Sequence, residues 1–146
     1  MPAPTQVDPR GLRVAAGITA VVVAVVLVLP SPAREVVLAL QVVVFAVSAF
    51  VGLQYSPYSL FFRRVVRPRI GAPTETEDSR PPRFAQLVGL LFTASALLAF
   101  ALGAPTVGLV LTAFALVAAL LNAVVGLCLG CELYLVLRRI APSQAI

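Results

Sequence analysis

Charged residues disappear from this chain for long stretches. None stands between Arg13 and Arg34, between Glu35 and Arg63, or between Arg83 and Glu132. The apolar runs inside those gaps predict four membrane spans, at about residues 12–29, 36–53, 84–102 and 107–127. Each is close to the roughly 20 residues that, at a rise of about 1.5 Å, cross the hydrocarbon core. Pro30 and Pro32 end the first span, because proline removes a backbone donor and disfavours helix in the residue before it. The turn Gly103-Ala104-Pro105 separates the third from the fourth. The first run also looks like the charged and apolar regions of a signal peptide. The residues after it, PSPARE, offer no small-x-small cleavage site before a soluble domain, and the next apolar run starts at once. The first span is therefore expected to be retained.

Between the second and third spans lies the one long connection, about residues 54–83. Its first part, LFFRRVVRPRI, mixes apolar and basic residues and suits the headgroup level. Its second part, GAPTETEDSRPP, reads as a polar, proline-rich surface loop. The arginines then orient the chain. Arg10 and Arg13 precede the first span, Arg63, Arg64, Arg67, Arg69, Arg80 and Arg83 lie in the long connection, and Arg138 and Arg139 follow the fourth span. Those ten fall on one side and only Arg34 falls on the other. The positive-inside rule places both termini in the cytoplasm, and the short opposite loops make two helical hairpins. The expected fold is an all-α integral membrane domain over residues 1–146, with a cytoplasmic C-terminal segment at about 128–146.

Composition agrees. The chain is 60% hydrophobic and 12% charged, against about 25% charged in soluble domains, too few to build a surface for water. A net charge of +5 would ordinarily raise nucleic acid as a partner. Without a soluble platform around the arginines it points to anionic headgroups, so the bilayer is the expected partner and nucleic acid is not. No charge inside any span argues against an ion pump or proton relay. Gln41 and Asn122, each inside a span, are expected to hydrogen-bond between helices.

The hairpins resemble each other. A shift of 74 residues lays FVGLQYSPYSLFFRRVVRP on VVGLCLGCELYLVLRRIAP, matching Arg64 to Arg138 and Pro68 to Pro142. At the opening of each half, Arg13-Val14-Ala15 resembles Arg83-Phe84-Ala85 at a shift of 70. A duplication of this kind would give parallel repeats about an axis along the membrane normal. It would also set Gln54, Tyr55 and Pro57 at the depth of the second copy's cysteines, as part of the wall around them.

Those cysteines, Cys128 and Cys131, are the chain's only two and are three residues apart. They fall where the fourth span gives way to headgroups on the cytoplasmic side, a reducing compartment that argues against a permanent structural disulfide. Zinc usually takes four ligands. One chain offers two thiols, no histidine and Glu132 nearby, so no metal and no cofactor is expected. On a straight helix the pair shares a face, away from a small-residue seam of Ala115, Ala119, Ala123, Gly126 and Gly130. Gly126 and Gly130 could instead loosen the helix. A new helix starting near Cys128 would place its thiol at a helix N-terminus, where the dipole makes it a better nucleophile. Burial pushes the other way, and two cysteines can also be plain packing.

Four stretches, VDPRGLRVAAGITA, SPYSLFFRRVVRPRIGAP, RPPRFAQLVGLLF and GLCLGCELY, together resemble a family of small bacterial membrane proteins known only as a domain of unknown function. The resemblance covers nearly the whole chain. It implies four membrane helices in a bacterial inner membrane and a C-terminal cysteine pair, here Cys128 and Cys131. Members tend to be encoded near thioredoxin-like or sulfurtransferase proteins, which points to thiol or sulfur chemistry. The expected function is a cytoplasm-facing dithiol, with Cys128 attacking and Cys131 resolving against a thioredoxin-like partner. Two alternatives stand beside it. One is a non-catalytic assembly subunit. The other is a small permease for a sulfur-containing anion, which at this length would need to act as a homodimer.

Overall fold

The computed structural model describes residues 6–140. The described residues are all-α apart from one two-residue ladder. Among the described residues, four helical stretches are long and apolar enough to cross a membrane: Pro9–Val28, Ala33–Val51, Arg80–Ala101 and Pro105–Val125. They match the four predicted runs, displaced by one to four residues at their ends. Three of them begin on prolines that the sequence reading left outside: Pro9 for α1 (Pro9–Val28), Pro81 and Pro82 for α5 (Arg80–Ala101), and Pro105 for α6 (Pro105–Val125). Proline is at home in a first helical turn, where its missing N–H would have had no partner.

The second stretch is α2 (Ala33–Ala46), which widens into a π-helical turn over Val47–Val51 and stops at Gly52, where φ is +153°. A 3₁₀ turn at Leu53–Tyr55 follows. The basic stretch expected at headgroup level is helical. It is α3 (Pro57–Phe61), a π-helical segment at Phe62–Val66 and α4 (Arg67–Ile70). Ser56 starts it by accepting the Tyr58 N–H on its hydroxyl. Residues 71–76 form the polar loop. α6 ends at Val125, and a separate helix, α7, runs from Leu129 to Ile140.

α1 packs on α6 and on α2, α5 on α6, α2 and α7. At one end of the bundle Val26, Leu38 and Ala96 are fully buried together, with Val37, Leu97, Phe100 and Leu111 around them. Buried hydroxyls are satisfied within their own helices: Ser48 donates to the Val44 carbonyl, Thr93 to Gly89 and Thr112 to Gly108. Large apolar side chains such as Val21, Leu40, Leu91, Leu98, Phe114 and Val117 face outward. Helices apolar on their outer faces as well as their inner ones belong in lipid. This is a membrane protein whose spans contact the bilayer.

The opposite end carries a reciprocal arrangement. Asp8 accepts the Arg10 N–H and side chain, and Asp78, 70 residues further on, does the same for Arg80. Three residues after each of those arginines stands another. Arg13 donates to the carbonyls of Ala123 and Val124 at the end of α6 (3.1 and 2.8 Å), and Arg83 donates to that of Ala49 at the end of the second stretch (2.9 Å). The opening arginine of each hairpin therefore caps the closing helix of the other. The strands β1 (Gln6–Val7) and β2 (Glu77–Asp78) pair antiparallel between the same two openings.

Candidate functional site at the helix break

Gly126 ends α6 in the left-handed region, at φ +75° and ψ +13°, with its N–H on the Asn122 carbonyl. Glycine takes this conformation without the cost a side chain would bring. Leu127 and Cys128 then carry the chain round to α7. The Cys128 carbonyl accepts the Glu132 N–H as the first bond of the new helix (3.0 Å), and the Cys128 sulfur accepts the Cys131 N–H (3.1 Å). Cys128 thus caps α7 with sulfur where serine or aspartate would use oxygen. Of the two alternatives open in the sequence, a continuous helix and a break, the structure has the break, at Gly126.

The sulfurs of Cys128 and Cys131 are bonded to each other as a disulfide, with their α-carbons 5.2 Å apart. The reducing compartment had argued against a permanent one. Gly130, between them, is the contact point with α5. A Cβ built there would lie 2.6 Å from the α-carbon and the Cβ of Ala85, so only glycine lets α7 lie this close. Tyr134, one turn on, is buried; its ring lies 5.6 Å from that of Phe84. Arg138 donates to the Tyr134 hydroxyl at 3.1 Å. Pro142, matched to Pro68 in the sequence comparison, and the end of the C-terminal segment lie outside the described residues.

The disulfide lies on the wall of a partly open cavity of about 770 Å³ lined by residues of α1, α2, α3, α5, α6 and α7. Ala115 and Ala119, from the predicted seam, also line it, and Ala123 of that seam faces Gly17 of α1. Its polar lining includes Arg13, Thr19, Ser48, Tyr58, Gln86 and Asn122 and the acidic Glu77, Asp78 and Glu132. Glu132 lines the cavity beside the cysteines and sits in the first turn of α7, where the helix dipole favours an acid. The stretch around Gln54 contributes Leu53, Ser56, Tyr58 and Ser59 to the lining. Gln54, Tyr55 and Pro57 themselves are exposed and outside it.

Tyr58 ties this wall to the second stretch. Its hydroxyl donates to the Gln41 side-chain carbonyl at 2.5 Å, while the buried Gln41 amide nitrogen has no hydrogen-bond partner among the described residues. Burial pushes the Tyr58 phenol up from its ordinary value. Asp8 and Asp78 are both held below the usual carboxylate range, first of all by the side-chain hydrogen bonds from Arg10 and Arg80. Among the described residues no three cysteine, histidine or acidic side chains gather as a metal would need.

The capping roles of Arg13 and Arg83 escaped the sequence reading, which used both only as topogenic charges. A signal was present: Asp8-x-Arg10-x-x-Arg13 recurs as Asp78-x-Arg80-x-x-Arg83. Comparison with curated proteins and with solved structures found no match. A family profile matches residues 7–139, nearly the full length and including the cysteine pair. The chain belongs to the family described as Domain of unknown function (DUF4395).

Proposed function

We propose that this protein is a membrane-embedded dithiol carrier of the bacterial inner membrane, exchanging electrons with a thioredoxin-like protein on the cytoplasmic side. The observation that carries the reading is the Cys128–Cys131 bond at the start of α7, with the Cys131 N–H on the Cys128 sulfur. That N–H and the helix dipole stabilise a thiolate at Cys128 once the bond is opened. In exchange, a partner thiolate attacks one sulfur of the pair and a mixed disulfide forms. The partner's second thiol then displaces it, leaving an oxidised partner and a Cys128/Cys131 dithiol. A sulfurtransferase would use the same thiol to carry sulfane sulfur.

Orientation follows from charge. The arginines cluster at the bundle end that holds the disulfide, while the other end has Arg34, stacked 5.1 Å from the Phe100 ring. The positive-inside rule puts the disulfide end and both termini in the cytoplasm. The reciprocal caps of Arg13 and Arg83, and the ladder between the two openings, support reading the hairpins as parallel repeats. The second copy has four more residues in its spans and one fewer in the turn between them, which accounts for three of the four residues by which the repeat drifts from 70 to 74.

The test is thiol labelling in sealed vesicles of known orientation, before and after reduction, followed by trapping. The disulfide-bonded protein should form a stable mixed disulfide with a thioredoxin-like protein whose second cysteine is replaced by serine, and the double Cys128→Ser, Cys131→Ser variant should form none. Labelling that appears only in denaturant would make the pair packing and favour an assembly subunit. Cysteine-dependent uptake of thiosulfate would favour a permease.

A further inference from the structure

The cavity behind the disulfide is lined in part by side chains that also face the outside of the spans. Its lining runs from the cysteine end down to Phe92 of α5 and Phe114 of α6. These two rings stand 6.4 Å apart and are 36% and 60% exposed on the outside of the spans. Gln86 follows Ala85, which touches Gly130, and Asn122 lies one turn before the break at Gly126. From Gln86 to Phe92, and from Asn122 to Phe114, the distance along each helix is about 9 to 12 Å. One end of the cavity thus holds hydrogen-bond donors, from Arg13, Gln86 and Asn122, beside a two-electron sulfur pair, with the acidic Glu77, Asp78 and Glu132 also in the lining. The other end is bounded by Phe92 and Phe114, apolar rings exposed on the outer face of two spans. A volume of about 770 Å³ lies within the range of about 300 to 1,000 Å³ common for small-molecule sites.

We propose that this cavity is the site of a lipid-soluble quinone, the oxidant that re-forms the Cys128–Cys131 disulfide. The inference rests on the dithiol reading and names its second substrate. The shape asks for a molecule with a polar redox head and an apolar tail that enters from the bilayer, which a water-soluble thiol oxidant does not supply. Carbonyl oxygens on the head match the donors. The chemistry balances: the two S–H bonds of the dithiol break and one S–S bond forms. Two electrons and two protons pass to the quinone, whose two carbonyls become the hydroxyls of a hydroquinone. With a thioredoxin-like dithiol as electron source, the net change is one partner disulfide and one hydroquinone per cycle. An acyl chain of an ordinary lipid would fill the apolar end and leave the donors and the disulfide without a role.

The experiment uses full-length protein in quinone-free phosphatidylcholine nanodiscs, reduced with dithiothreitol and desalted under nitrogen. A short-chain benzoquinone is added, hydroquinone is read by absorbance, and remaining thiols by alkylation and mass spectrometry. The expected result is one hydroquinone per disulfide formed, with the rate reduced about tenfold or more, the equivalent of about 1.4 kcal/mol, in Ala118→Phe, which fills the cavity away from the sulfurs. Retention of the quinone is measured separately in Cys128→Ser, Cys131→Ser protein, so that the site is tested without turnover. That protein should hold the quinone and should lose it when Ala118→Phe is added. Quinone reduction at an unchanged rate in Ala118→Phe, or no retention by the serine variant, overturns the inference. Exchange with a thioredoxin-like disulfide is assayed on the same samples. Exchange without quinone reduction overturns the quinone site alone, and the absence of both overturns the dithiol reading with it.

Discussion

Replacing Gly126 with alanine tests the link between backbone and sulfur chemistry. At φ +75°, an L-residue with a Cβ costs about 1–2 kcal/mol more than glycine. Space is not the obstacle, since the nearest atoms to an added Cβ are those of the Arg13 guanidinium at 3.8 Å. The chain has a way to relieve the strain: it can run α6 straight into α7. In a continuous helix the Cys131 N–H would bond to the Leu127 carbonyl and leave the Cys128 sulfur. A hydrogen bond to a charged group contributes about 1.5 kcal/mol or more, so the Cys128 thiolate would lose roughly tenfold in population. The assay is iodoacetamide alkylation of the reduced protein in nanodiscs at pH 7, alongside denaturant unfolding. Gly103→Ala is the control. Gly103 also has a positive φ, +81°, with nothing within 4 Å of an added Cβ, and it lies in the turn between α5 and α6, remote from the cysteines. Both variants should lose similar stability, and only Gly126→Ala should lose alkylation rate. Wild-type alkylation in Gly126→Ala, or an equal loss in Gly103→Ala, would refute the claim that the break makes Cys128 reactive.

Three further outcomes are expected. Arg13→Gln and Arg83→Gln should each destabilise by about 1 kcal/mol through the lost helix-end carbonyl partners. They cap different helices, so the double variant should show the sum to within about 0.5 kcal/mol, and a double variant no worse than either single would sink the idea of two separate caps. Gly130→Ala should cost about 1–3 kcal/mol by overpacking against Ala85. Added Ala85→Gly should recover part of it, as read by unfolding and by protease access to α7. Asp8 and Asp78 have lowered pKa values in the folded chain, so their stabilisation is complete above the unfolded carboxylate value of about 3.9 and fades as pH falls through the folded one. Unfolding followed from pH 6 to pH 2 should show a loss that the Asp8→Asn, Asp78→Asn variant lacks.

The spans were legible because lipid imposes one rule on every residue of a crossing helix, and breaks in apolar character mark the ends. Their starts were placed two to four residues late because Pro9, Pro81, Pro82 and Pro105 look like breakers when they are first-turn residues. The long connection was read as a loop because its helix, Pro57 to Ile70, is too basic for a span and too short for a clear period. The cysteine spacing was visible in the sequence. The break at Gly126 was not decidable, since a glycine inside a helix and a glycine ending one look alike until the next cap is known. Here the cap is a sulfur, which no capping preference would have flagged.

The Arg13 contact explains how a helix can end at that position at all. A helix that stops exposes its last carbonyls, and in or near hydrocarbon there is little water to satisfy them. Ala123 and Val124 hand theirs to Arg13, and Ala49 hands its own to Arg83. The arginines come from the first two turns of α1 and α5, which stand beside those ends because α1 runs antiparallel to α6 and α5 antiparallel to the second stretch. Each break therefore depends on the other hairpin. The break after α6 creates a new helix start, and that start points an N–H at Cys128. The order of causes runs from charge at the membrane surface, to capped carbonyls, to a glycine free to turn, to a sulfur at a helix N-terminus. Arg13 bonds to the end of α6, and the helix end that it caps fixes where Cys128 begins α7.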